Sequence, residues 1–131
     1  MLKNDFYEVV SKEIAEGRIN STIRFNAGHS IFTGHFPGQP VVPGVCMMMI
    51  IKELLAEHYG GSVLIRKAPQ VKFLKMIVPE LSPEADVFIQ FSILNEQTWL
   101  ADATIKKEAT VFFKMKAQVE LISSTKDQPG S

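Results

Sequence analysis

The chain has 131 residues, 46% of them apolar, and its 14 Lys and Arg balance 14 Asp and Glu. That composition supports a folded domain with a full core, and the balance excludes a net field drawing the protein to nucleic acid or an anionic membrane. Its one cysteine, Cys46, excludes an internal disulfide and a cysteine-based metal set.

The opening stretch MLKNDFYEVVSKE is charged and lacks the apolar core of a secretory leader. The longest apolar run, residues 41–51, contains Pro43 and Gly44 and is too short to span a bilayer. A cytoplasmic protein without a membrane partner is therefore expected. A first strand is expected near residues 6–14, turning at Glu16-Gly17. Ile19, Ser21, Ile23 and Phe25 then alternate with Arg18, Asn20, Thr22 and Arg24, the period of a half-buried strand.

Residues 44–59 give the one confident helix, about 24 Å long and stopped by Gly60-Gly61. From Val45 to Ile51 it is apolar on every face, which predicts burial all round. A strand at about residues 63–74 follows. Three more stripes, Val87 to Ile93, Trp99 to Ile105 and Val111 to Leu121, are separated by short polar links and predict an antiparallel meander. The polar tail at 123–131 is expected to be disordered, leaving a single domain over 1–122. One buried helix among about six antiparallel strands predicts an α+β hot-dog fold, a curled sheet wrapped around one long central helix.

Between the second strand and the helix runs Phe32-Thr33-Gly34-His35-Phe36-Pro37-Gly38-Gln39-Pro40-Val41-Val42-Pro43-Gly44-Val45. This stretch resembles the signature of the beta-hydroxyacyl-(acyl carrier protein) dehydratases of type II fatty acid synthesis. Gln70-Val71-Lys72-Phe73-Leu74-Lys75-Met76-Ile77-Val78-Pro79 is similar to that family's strand ending in a Val-Pro turn. The resemblance implies a hot-dog homodimer with sites at the subunit interface. It also implies a substrate carried on the phosphopantetheine of acyl carrier protein or coenzyme A, with no cofactor bound to the enzyme itself.

The residues make chemical sense on their own terms. Dehydration of a 3-hydroxyacyl thioester removes a C2 proton and expels the C3 hydroxyl, and a neutral imidazole is a suitable base near pH 7. His35 sits in a Gly/Pro loop that restricts its backbone. Gly44 opens the helix, where free amides can polarise a thioester carbonyl, and its lack of a side chain lets substrate approach. Phe36 and Val45 flank these two and join them as expected substrate contacts.

The chain departs from the family at Met49. There, fourteen residues after the histidine, the dehydratases carry a Glu or Asp. Glu53, one turn further along, is the candidate substitute acid; its bland reading is an exposed carboxylate paired with Lys52 or Lys75. Three arrangements follow. His35 acts as the only base, taking the C2 proton and handing it to the leaving oxygen. A related chain supplies the acid in a heterodimer. Or the protein binds acyl thioesters or acyl carrier protein without turnover. A thioesterase is disfavoured, because that chemistry usually needs a carboxylate to activate water. His29 and His58 are expected at the surface or in turns, and Cys46 in the core. Arg66, Lys67, Lys72 and Lys75 are either carrier-facing or ordinary solubilising charges.

Overall fold

The computed structural model describes residues 2–34 and 40–122. The expected tail at 123–131 and two of the candidate site residues, His35 and Phe36, lie outside the described residues. Six strands and two helices follow in chain order. They are β1 (Tyr7–Ala15), β2 (Arg18–Phe25), α1 (Ser30–Gly34), α2 (Gly44–Tyr59), β3 (Ser62–Phe73), β4 (Glu84–Asn95), β5 (Thr98–Lys107) and β6 (Thr110–Ile122). The strands form one antiparallel sheet in the order β1-β2-β4-β5-β6-β3, curled around α2 as expected.

The alternation in sequence becomes the two faces of this sheet. Ile19, Ile23, Val87, Ile89, Ala103, Ile105, Phe113 and Val119 are fully buried on the inner face. In the middle of the sheet Ala101 pairs with Ala117 and Ala103 with Met115. Small side chains there leave the concave face room for a helix. Gly60 ends α2 in the left-handed region at φ 84°, and its amide donates to Ala56 O at 2.9 Å. Burying a side chain such as Ile50 or Ile51 contributes about 1.5–3 kcal/mol, so the inward face of α2 is what holds the helix in place.

Two expectations need correction. Ile93 does not continue the buried stripe of β4; it is 72% exposed, although it still pairs in register with Trp99. Nor is α2 buried all round. Cys46, Met47, Ile50, Ile51, Leu54 and Leu55 face the core, but Val45 is 63% exposed and Met48 and Met49 are half-buried. Val45, Met48 and Met49 recur at helical spacing, with Lys52 following them, and form an apolar stripe that the sheet does not cover. The short helix α1, which packs Phe32 into the core against Phe6, carries no periodicity and was not expected.

Candidate active site

Pro43 occupies the N-cap of α2 with extended backbone (φ −62°, ψ 145°) and provides no side-chain cap. Among the described residues the Gly44 and Val45 amides have no hydrogen-bond partner, since the first helical donations run from Cys46 and Met47 to Pro43 O. Two free donors at the positive end of the helix dipole can polarise a carbonyl oxygen. They adjoin a cavity of about 570 Å³ lined by Val42, Gly44, Met47, Phe73, Leu74 and Met76, among others.

Nothing in the residue pattern singles out Phe73. A Cβ built on Gly44 would lie 2.6 Å from Phe73 Cε1 and 2.9 Å from its Cζ. A side chain there would have to displace an aromatic ring, so glycine accommodates Phe73 as well as substrate approach. The ring also meets Phe113 at 5.3 Å between centroids. Because Phe73 is 55% exposed, it can swing outward from Gly44 without disrupting the core.

Val45 and Met49 sit one turn apart on the same side of α2, half-buried or exposed beyond the helix N-terminus. Glu53 continues that spacing but turns elsewhere. It is buried, at 7% exposure, rather than exposed and paired with Lys52 or Lys75 as expected. Its Oε2 accepts from the Leu2 amide at 2.8 Å, and its Oε1 from the Lys3 amide at 2.9 Å and the Tyr7 hydroxyl at 3.1 Å. Asn4, at φ 67°, reverses the chain so that this segment folds back over the helix. One turn on, Glu57 pairs with both Lys3 and Lys12, and hydrogen bonds from Lys12 and Lys3 hold its carboxyl below the usual range. The N-terminal segment is therefore clasped to α2 by two acidic side chains, and the carboxylate of Glu53 accepts three hydrogen bonds from that segment.

Burial, reinforced by Glu53, pushes the Tyr7 hydroxyl well above its ordinary value. The same two causes push up the thiol of Cys46, which is buried as expected and so disfavours the thiolate. His29 lies in the turn before α1, where its Nδ1 accepts from the Ile31 amide at 3.0 Å and its Nε2 faces Asp5 at 3.2 Å. His58 is half-buried against Phe91 and Trp99, not at the surface. Arg66 pairs with Glu120, while Lys67, Lys72 and Lys75 have no carboxylate partner among the described residues. No metal-binding cluster occurs among those residues, and none of their helices is long and apolar enough to cross a membrane. A larger cavity of about 810 Å³ opens on the outer sheet face beside Lys67–Pro69, but contains none of the expected site residues.

Comparison with known proteins follows the same lines. Residues 11–126 match the ApeI-like family, described as the ApeI dehydratase. The chain is similar to the 3-hydroxyacyl-(acyl-carrier-protein) dehydratase FabZ of Lactococcus lactis, 44% identical over 55 residues that cover 42% of this chain and 32% of that protein. The FabZ of Moorella thermoacetica is 38% identical over 55 residues, covering 37% and 38% respectively. The chain thus spans less than half the length of these curated relatives. Among solved structures, the dehydratase heterocomplex ApeI:P from Xenorhabdus doucetiae superposes with a TM-score of 0.68 at 16% identity, covering 86% of this chain and 96% of that one. The Escherichia coli PaaI protein gives a TM-score of 0.62 at 15% identity, covering 91% and 81%. The fold of these two is the hot-dog fold described above. With the match running from β1 to beyond β6, the chain belongs to the ApeI-like dehydratase family.

Proposed function

We propose that the protein is a hydro-lyase acting on 3-hydroxyacyl thioesters carried by phosphopantetheine, on an acyl carrier protein or coenzyme A. His35 takes the C2 proton. The C2–H electrons form the C2=C3 bond, and the C3–O bond breaks to release the hydroxyl, which leaves as water after receiving a proton. The Gly44 amide polarises the thioester carbonyl while charge builds on its oxygen, and Phe36 and Val45 contact the acyl thioester. The observation that carries this reading is the family match over residues 11–126. The uncapped helix end beside a cavity supports the role of Gly44.

Met49 cannot supply the second proton-handling group, and Glu53 is committed to the N-terminal segment. Two sources are left: His35 itself, returning the C2 proton to the departing oxygen on the same side, or an acid from another chain. The first needs no group beyond this chain; for the second, the Xenorhabdus relative in fold is itself a dehydratase heterocomplex. Assay of a 3-hydroxyacyl carrier protein with wild type and His35→Ala tests the proposal. Loss of about 10²–10⁴ in rate is expected for the variant. Turnover that survives the loss of His35 sinks it, and tight acyl-carrier binding with no turnover, alone or with a related subunit, points to a binding module.

A further inference from the structure

His35 follows directly on Gly34, the last residue of α1, so whatever fixes α1 fixes one side of the backbone that carries the base. Five residues are too few to hold a helix by propensity alone, and SIFTG contains two β-branched residues and a glycine. Contacts from elsewhere must hold it. Phe32 provides one, stacked on the fully buried Phe6 at 5.0 Å between centroids. His29 provides the other.

His29 stands at the N-cap of α1, and its Nδ1 accepts from the amide of Ile31, the second residue of the helix, at 3.0 Å. Only an unprotonated ring nitrogen can accept, so the proton of the neutral ring sits on Nε2 and is directed at Asp5 Oδ2, 3.2 Å away. The ring also meets Phe6 edge to face, with centroids 5.5 Å apart and planes at 86°. Its backbone is tied to the same segment. The His29 amide donates to Asn26 O at 3.0 Å, the Asn26 amide to Phe6 O at 2.8 Å, and Asn26 Nδ2 to Asp5 O at 2.9 Å. A base displaced by about 1 Å from its near-attack position can lose about 10²-fold in rate, so the hold on α1 bears on turnover.

We infer that His29 is a positioning residue for the dehydration: its neutral imidazole caps α1 and thereby holds the residue preceding His35 in place. The inference rests on the reading in which His35 is the base. An N-cap is more often Asn, Asp, Ser or Thr, any of which can accept from the helix amide. Histidine adds the contact with Phe6 and the bond to Asp5, so two substitutions separate the acceptor from the ring. His29→Asn keeps an acceptor and gives up the ring; His29→Phe keeps a ring against Phe6 and gives up the acceptor.

Both variants, with wild type and His35→Ala beside them, are assayed on a 3-hydroxyacyl carrier protein well below their Tm, alone and with any related subunit that activity requires. His29→Phe is expected to lower kcat about five- to thirtyfold with KM within about twofold, since the thioester contacts at Gly44 are untouched. His29→Asn is expected to stay within about twofold of wild type. Amide exchange over residues 31–34 should quicken in the Phe variant and not in the Asn variant. A purely packing role predicts the reverse order of the two variants; that order, or equal rates in both, overturns the inference. So does faster exchange in the Phe variant with an unchanged kcat. Turnover lost in His35→Ala but unaffected by His29→Phe brings down this inference alone. Wild-type turnover that survives His35→Ala, or that is absent altogether, brings down the dehydratase reading and this inference with it.

Discussion

Replacing Glu53 with glutamine separates a structural carboxylate from a catalytic one. An amide keeps a single acceptor oxygen. Placed at the Oε1 position it retains the bonds from the Lys3 amide and the Tyr7 hydroxyl, and turns an NH2 group against the Leu2 amide, which now approaches to 2.8 Å. Leaving one partly buried donor unsatisfied costs about 1–3 kcal/mol, and the two surviving bonds weaken as the acceptor loses its charge. The segment can swing into water, which limits the loss to roughly 2–3 kcal/mol in all. For a domain of this size that is a fall in Tm of about 6–15 °C. Thermal unfolding, amide exchange of the N-terminal peptide and kcat well below Tm should be measured together. Faster exchange at Leu2 and Lys3, lower Tm and a kcat within about twofold of wild type are expected. A Tm shift below about 2 °C with unchanged exchange refutes the clasp. A folded variant whose kcat falls about 10²-fold or more would make Glu53 the acid after all.

Gly44→Ala should push the Phe73 ring outward, losing its contact with Phe113 at about 0.5–1.5 kcal/mol and regaining most of that from helix propensity. Net stability is therefore expected within about 1 kcal/mol of wild type by urea unfolding, and Phe73→Ala should relieve the clash in a double-mutant cycle. Tyr7 governs an alkaline limit. Below pH 10 the phenol is protonated in both states; above it the unfolded chain ionises while the folded one, with its raised pKa, does not. Stability then falls by about 1.4 kcal/mol per pH unit above 10, and Tyr7→Phe should remove that slope in denaturation curves at pH 9 to 11. Met49→Glu restores a carboxylate at the family position and should raise turnover of the isolated chain by about 10²-fold or more. An unchanged rate shows that the second proton-handling group is already in place.

Much of the fold was legible because period-2 alternation writes itself directly into burial: the buried residues of β2 and β5 are those the stripes name, while β6 also buries Phe112 and leaves Val111 and Leu121 half-buried. The boundaries of α2 were legible for a different reason, since Pro43 and Gly60 punctuate it chemically. The orientation of its side chains was not. A run as apolar as Val45 to Ile51 has no polar face from which to read direction, so the uncovered stripe emerges only once the sheet has taken one side. Glu53 and Phe73 were misread or missed for a common reason. The partners that decide their roles, Leu2 and Lys3 for one and Gly44 for the other, stand far away in sequence. Spacing along a helix says which residues share a face; it does not say which distant segment arrives to meet them.

The strand order has a consequence for synthesis. β3 is made early, yet its sheet neighbour is β6, the last strand of the six. A ribosome adding about 5–20 residues per second must extend the chain from Phe73 to Ile122, a matter of roughly 2–10 s, before β3 has a place to dock. During that interval β1, β2 and α2 exist without the half of the sheet that closes around the helix. Closure is therefore a late, long-range event of high contact order, and folding should await delivery of the final strand instead of proceeding smoothly from the N-terminus.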